Sequence, residues 1–315
     1  MKKLLYKIAI HGLFIFIILE CMVRVFHFHA NPPQQYIDDY GVRKLVPLQE
    51  GYNVTGNRRQ HVTRYQVNNI GFNSIQTDFP KEDNYNVELI GDSYIEGLHQ
   101  PNHNSIGVML ASKLDSLKVY EYGVSGYDMA DQLHFVQAYN KELQHIDEII
   151  LYMKFENDFE RSAYEPLLIS ESKLDKLRNH SKLLTYLRQL GILNSLKSFL
   201  TTNTKKLLFK NEIQQENSIA VDDPKFSLQR IANFKKLMKT YNFQKNKMTL
   251  LLDSRFTNTM FLDFCKENNI KIIDFKQPFQ SAEKETSLVY DAHWNSYGRE
   301  LIADTIFKHL TSKNE

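Results

Sequence analysis

Asn86-Val87-Glu88-Leu89-Ile90-Gly91-Asp92-Ser93 is the stretch that decides how this 315-residue chain folds. Its first five residues read as a short apolar strand, and Gly91-Asp92-Ser93 reads as the turn that ends it. Downstream, Ile106, Met109, Leu110, Leu114 and Leu117 recur at helical spacing within 104–117. A second strand follows at 118–122 and ends at Gly123-Val124-Ser125-Gly126. A helix over 128–144 starts at Asp128, a suitable N-cap, and a third strand covers 148–152. Strands alternating with helices of this length imply βαβ units and a parallel sheet. The alternation breaks over about 160–246, where Leu-rich helical stretches flank a polar segment at 211–223. It resumes with a strand at 248–252, a helix at 258–268, a strand at 271–273 and a closing helix at 296–310.

Upstream, residues 31–85 carry Pro32, Pro33, Pro47, Pro80 and many Asn and Gln. They are expected to form a juxtamembrane linker and irregular extension, with short strands such as 61–67. The first 30 residues are expected to be a membrane anchor and its flank. Leu4 to Phe26 is mostly apolar, and as helix it spans roughly 34 Å, enough for a ~30 Å hydrocarbon core. Lys7, Glu20 and Arg24 interrupt it near its ends, where long side chains reach the interface; His11 is more central. No small residues flank Cys21 as a cleaved signal peptide requires, so an uncleaved single-pass anchor is expected. Lys2, Lys3 and Lys7 precede the segment and only Arg24 follows closely. The positive-inside rule then keeps the N-terminus cytoplasmic and puts the rest outside, or in a periplasm.

Composition narrows the function classes. At 42% hydrophobic and 24% charged, the chain is not disordered, collagen-like or a coiled coil. A net charge of +2 leaves no footprint for nucleic acid. Two cysteines, Cys21 and Cys265, the first inside the apolar run, exclude a disulfide scaffold. The insertion is locally basic: over 171–210, nine Lys or Arg stand against Glu171 and Asp175. A solvated helical face is the plainer reading; contact with anionic headgroups or an acidic glycan is the sharper one. Leu174, Leu177, Leu183, Leu184, Leu187, Leu190 and Leu193 recur at near-helical spacing, so this segment must bury one face. It leaves from the Asn157 end of the sheet, which predicts a helical cap beside or over Ser93.

Four short segments carry chemistry. Ser93 ends an apolar strand, and the carboxyl edge of a parallel sheet is where open α/β folds place ligands. A serine hydroxyl needs a base to become a nucleophile. The Gly123–Gly126 turn lets backbone approach a ligand and aim an N–H at it. Asn157, after the third strand, carries an amide that can donate to a developing oxyanion. In Asp291-Ala292-His293-Trp294-Asn295, carboxylate and imidazole lie at i and i+2 of an extended segment, on one side. The Asp can accept from one ring nitrogen and leave the other as base. His27, His29, His99 and His103 show no zinc-type spacing with cysteine, so no metal and no cofactor is expected.

In this order the segments resemble the SGNH, or GDSL-type, hydrolase family, over roughly 86–315. The resemblance implies a three-layer α/β/α sandwich with a five-stranded parallel sheet, interrupted here by the helical insertion. It implies Ser93 as nucleophile, His293 as base, Asp291 as its partner, and Ser93, Gly126 and Asn157 as oxyanion donors. Phe155 stands where the family usually has glycine, which implies a narrower pocket, and one residue rather than two separates Asp291 from His293. The expected activity is a serine esterase on O-acyl, most simply O-acetyl, esters of cell-envelope carbohydrate. An O-acetyltransferase with the same triad is the first alternative; a degenerate glycan-binding scaffold is the second.

Overall fold

The computed structural model describes residues 2–29, 31–55, 59–82, 84–114, 116–166, 180–192 and 224–312. The chain divides into two compact units: Met1–Pro32, Tyr52–Val62 and Ile169–Gln215 form one, and Pro33–Gly51, Thr63–Leu168 and Glu216–Glu315 the other.

The first unit is built on α1 (Lys2–Val25). Over 18 residues its mean hydropathy reaches 2.2, so by length and composition it is a candidate membrane span. Leu13, Phe14 and Ile18 are exposed along it. Near its end, Glu20 accepts from the Lys182 and Leu183 N–H groups at 2.9 and 2.8 Å, and from the Ser181 hydroxyl at 2.8 Å. Glu20 thus satisfies orphan N–H groups at the start of the Lys182–Gln189 helix. Arg24 pairs with Glu20 at 2.7 Å and donates to the His180 carbonyl at 2.7 Å. The rest of the insertion, 167–179 and 193–223, lies outside the described residues. With it lie Leu174, Leu177, Leu193, most of the basic run and the polar segment, and therefore the cap expected over Ser93.

The second unit is a three-layer α/β/α sandwich. Its sheet comprises β1 (Tyr85–Gly91), β2 (Leu117–Gly123), β3 (Glu148–Tyr152), β4 (Met248–Leu252) and β5 (Lys271–Asp274), in the order β2-β1-β3-β4-β5. All four pairings are parallel, with Val87 opposite Val119 and Leu89 opposite Ile150. The order reverses direction after β1, which sets the switch point beside the strand that leads to Ser93. Its helices include α2 (Ser93–Glu96), α3 (Ile106–Ala111), α4 (Met129–Ala138), α5 (Pro224–Thr240), α6 (Thr259–Glu267) and α7 (Ser296–Thr311). On one face Val87, Leu89, Ile150 and Leu251 pack with Ile106, Leu110, Ile302 and Ile306. On the other, Ile90, Tyr122, Leu151 and Leu250 pack with Leu133, Phe135, Phe234 and Phe261. Burial on both faces explains why β3 reads Ile149-Ile150-Leu151 without alternation.

Two helices are shorter than their periodicity suggested. The one expected over 104–117 spans Ile106–Ala111, because Leu117 is already the first residue of β2. The one expected over 128–144 ends at Ala138. Its predicted N-cap holds: Asp128 accepts from Asp131 N–H at 3.0 Å, and Asp131 returns the bond at 3.1 Å. Within the stretch expected to be irregular, Gln35–Ile37 pairs antiparallel with Arg43–Leu45. Val42, Leu45, Val67 and Phe72 from that stretch are buried in the α4–α6 core.

Glu88, in the middle of β1, is fully buried, and neither carboxylate oxygen has a hydrogen-bond partner among the described residues. Burial pushes its carboxyl up to about 8. The unfolded chain releases this proton near 4.5, whereas the folded chain keeps it to about 8. Stability from this group is therefore complete below 4.5 and is lost as pH rises through 4.5–8. The slope is about 1.4 kcal/mol per pH unit. Glu88→Gln is expected to remove that slope, so its margin over wild type in urea grows from pH 6 to pH 8. Parallel stability profiles for the two proteins would sink this expectation.

Candidate active site

Ser93 sits at the carboxyl end of β1, as the first residue of α2. Asp92 caps that turn: Oδ1 accepts from Tyr94 N–H at 2.9 Å, and Oδ2 pairs with Lys154 Nζ at 2.7 Å. The Lys154 N–H in turn donates to buried Asp158 at 2.7 Å. Burial, and then the nearby Asp92 charge, push the Asp158 carboxyl well above the usual range. Burial opposes the Lys154 charge, but Asp92 outweighs it and raises its pKa.

Asp291 and His293 lie 198 and 200 positions further on, in β6 (Asp291–Trp294), which pairs antiparallel with Ser287–Leu288. His293 Nε2 is 2.7 Å from Ser93 Oγ. Its Nδ1 is hydrogen-bonded to Asp291 Oδ1, which also accepts from the His293 backbone N–H at 2.9 Å. Burial alone would raise the Asp291 carboxyl; the bonds from His293 outweigh it and hold the group below the usual carboxylate range. Asn295 caps α7 by accepting from Gly298 N–H at 2.9 Å, and its amide donates to the Glu285 and Ser287 carbonyls. The segment carrying His293 is thus fixed at its exit. Trp294, beside it, is buried against Tyr94, Tyr152 and Phe275.

Gly126 is held from below by a residue that no motif announced. Arg43 Nη2 donates to the Gly126 carbonyl at 2.7 Å, and Nη1 to the Ser125 carbonyl at 3.4 Å. With its carbonyl turned toward Arg43, the peptide takes φ +79°, where glycine is strongly preferred. The Ser125 hydroxyl is hydrogen-bonded to Glu96, whose carboxyl burial pushes up to about 7. This bond ties the Gly126 turn to the helix that begins with Ser93. Asn157 is exposed in the turn after β3. Among the described residues, the Ser93 and Gly126 N–H groups and the Asn157 side-chain amide donate to no protein acceptor.

Phe155 is fully buried, its ring 5.2 Å from Phe261 and 6.0 Å from Phe159, and it also lines the cavity beside the site. That cavity, of about 420 Å³, has Tyr94, Lys154, Arg255, Phe256, Phe279 and Trp294 among its walls. Phe256 stands largely exposed at this cavity.

His99 was set aside for lack of zinc-type spacing to cysteine. The structure brings it to the triad: its ring stacks on His293 at 3.9 Å, and its Nε2 is 3.5 Å from Asp291 Oδ2. His99, Asp291 and His293 bring one ligand atom each within 4.8 Å of one another, a set that could in principle hold a cation. The His293 ring is already engaged at both nitrogens by Ser93 and Asp291, which fits proton transfer better than ligation.

No family model matches the sequence, and no curated protein does. Among solved structures, the chain is similar to a member of the lipolytic protein G-D-S-L family from Veillonella parvula DSM 2008, at 13% identity and TM-score 0.38. The match covers 72% of this chain and 98% of that one. It is also similar to an acetylxylan esterase from Geobacillus stearothermophilus, at 10% identity and TM-score 0.36, over 73% and 96% of the two chains. A third is a two-domain esterase active on acetylated mannans, at 10% identity and TM-score 0.40, over 74% of this chain and 51% of that one. These likenesses carry no weight for chemistry, which rests on the side chains themselves.

Proposed function

We propose that this protein is a serine esterase that cleaves O-acyl, most simply O-acetyl, esters of cell-envelope carbohydrate. The observation that carries the reading is the continuous chain from Ser93 Oγ to His293 Nε2, at 2.7 Å, and from His293 Nδ1 to Asp291. His293 takes the Ser93 proton as Oγ attacks the ester carbonyl. Asp291 keeps the imidazole in the tautomer that exposes Nε2 as base, and stabilises the imidazolium. Among the described residues the Ser93 and Gly126 N–H groups and the Asn157 amide are uncommitted donors, available to the tetrahedral oxyanion. His293 then protonates the leaving alcohol, and water resolves the acyl-enzyme by the reverse steps.

The carbohydrate part of the reading is supported by the aromatic-walled cavity, which carries polar groups at Lys154 and Arg255. The envelope part is supported by α1, which would hold the catalytic unit outside the membrane with Lys2, Lys3 and Lys7 inside. Incubation with acetylated xylan or peptidoglycan tests both parts through acetate release. Acetylation of a glycan acceptor without acetate release would reassign the protein as a transferase using the same groups. Glycan binding without any ester turnover would make it a scaffold.

Asn157→Ala is expected to lower kcat on p-nitrophenyl acetate by ~10²–10³ with little change in KM, the signature of a donor used only in the transition state. A change confined to KM would remove Asn157 from the oxyanion site.

A further inference from the structure

The turn that delivers Ser93 also delivers His99. α2 ends at Gly97, in the left-handed region at φ +68°, and the chain reverses there. The residues on either side of His99 are anchored. The Leu98 carbonyl accepts from the buried Thr63 hydroxyl, and Gln100 accepts from the Ser296 hydroxyl at 2.9 Å. Asn104, at the end of the same loop, donates to Ser296 at 3.0 Å and accepts from Arg299 at 3.2 Å. The loop is thereby pinned to the start of α7, the helix that follows the segment carrying Asp291 and His293.

Within that frame the two imidazoles share one carboxylate. Asp291 Oδ1 serves His293, and Oδ2 faces His99 Nε2 at 3.5 Å. The rings lie nearly parallel, 17° apart, with centroids at 3.9 Å. His293 also meets Tyr94 at 4.5 Å, whose hydroxyl donates to the Ala292 carbonyl at 3.0 Å. His293 is therefore contacted by two rings, and Asp291 has an imidazole facing each oxygen. A carboxylate held at one oxygen only can rotate about its χ2, which is a broad torsion. Rotation would carry Oδ1 away from the His293 Nδ1–H.

We propose that His99 is a positioning residue of the triad. Its imidazole, with Nε2 facing Asp291 Oδ2 at 3.5 Å, fixes the carboxylate plane and covers one face of His293. Its effect on catalysis runs through Asp291 and His293. This inference rests on the esterase reading, but its structural half can be measured without turnover.

The test uses the whole protein with His99→Ala and His99→Gln. Gln keeps a donor for Oδ2 and lacks the ring. His99→Ala is expected to lower kcat on p-nitrophenyl acetate by roughly 10- to 100-fold with KM unchanged, the scale that a small misplacement of catalytic groups costs. His99→Gln is expected to recover most of it. In proton NMR, the low-field resonance of the His293 Nδ1–H shared with Asp291 is expected in wild type and His99→Gln, and lost to exchange in His99→Ala. An unchanged resonance and unchanged kcat in His99→Ala would overturn the proposal, as would an effect on KM alone. Activity lost to EDTA and restored by Zn²⁺ would also overturn it, since the three groups would then be ligands. If wild type cleaves no ester and resists a fluorophosphonate, the esterase reading fails. The NMR comparison still decides whether His99 fixes Asp291.

Discussion

Ser93→Ala is expected to abolish labelling by a fluorophosphonate probe and to lower kcat on p-nitrophenyl acetate by on the order of 10⁶-fold. The reason is the arrangement at the end of β1. Ser93 Oγ is the hydroxyl in hydrogen-bond contact with His293 Nε2, and that ring's other nitrogen is committed to Asp291. Removing Oγ leaves a base with nothing to deprotonate. Residual turnover then comes only from binding and from the oxyanion donors. His293→Ala should cost about as much, and the double variant no more than either single one, because the two groups act as one unit. Circular dichroism should show the fold intact in all three, since Ser93 and His293 lie outside both hydrophobic cores. Equal labelling of wild type and Ser93→Ala would refute the nucleophile assignment.

The largest expected effect on stability comes from a glycine that touches no substrate. A Cβ at Gly123 would lie 2.0 Å from the Glu96 backbone nitrogen and 2.5 Å from the Ile95 carbonyl carbon. These are main-chain atoms of α2, so no rotamer change relieves the overlap; the helix that begins with Ser93 must move. Gly123→Ala is expected to cost more than about 3 kcal/mol, at the severe end for overpacking. Urea denaturation measures this. Gly126→Ala is the control: among the described residues its Cβ would meet only the Arg43 guanidinium, Nη1 at 3.6 Å and Nη2 at 4.0 Å, so the cost is the left-handed backbone, about 1–2 kcal/mol. If Gly123→Ala is no worse than Gly126→Ala, the close approach of β2 to α2 does not constrain the fold. Where Gly123→Ala still folds, a shift of α2 should lower kcat through Ser93.

The central strands were legible because their composition is a direct consequence of burial. Val87, Leu89 and Ile90 in β1, and Ile149 to Leu151 in β3, face helices on both sides, where apolar residues predominate. Such strands alternating with helical periods leave few topologies besides a parallel sheet. The spacing of Asp291 and His293 was legible for a similar reason: in extended backbone, i and i+2 share a side. Helix ends were less legible. Leu114 and Leu117 continue an apolar period past Ala111, although the chain has already turned toward β2.

What composition and local spacing could not reveal are the partnerships made across long stretches of chain. Arg43 lies 83 positions before Gly126, in a Pro-rich stretch that read as irregular, and it buries its guanidinium under the Gly126 turn. Nothing near His99 in the sequence points to the carboxylate 192 positions away that its Nε2 faces at 3.5 Å. Phe155 stands at a motif position, and its ring packs on Phe261 in the core while the residue also lines the cavity. Composition and spacing alone were enough for the parallel sheet, the succession of its strands, and the choice of Ser93, Asp291 and His293 as candidates. Burial and backbone periodicity are local properties, and each residue carries them. The tertiary structure alone decided which distant groups meet around those three, because a hydrogen bond or a ring contact depends on ångström-scale approach in space, and separation along the chain does not encode it.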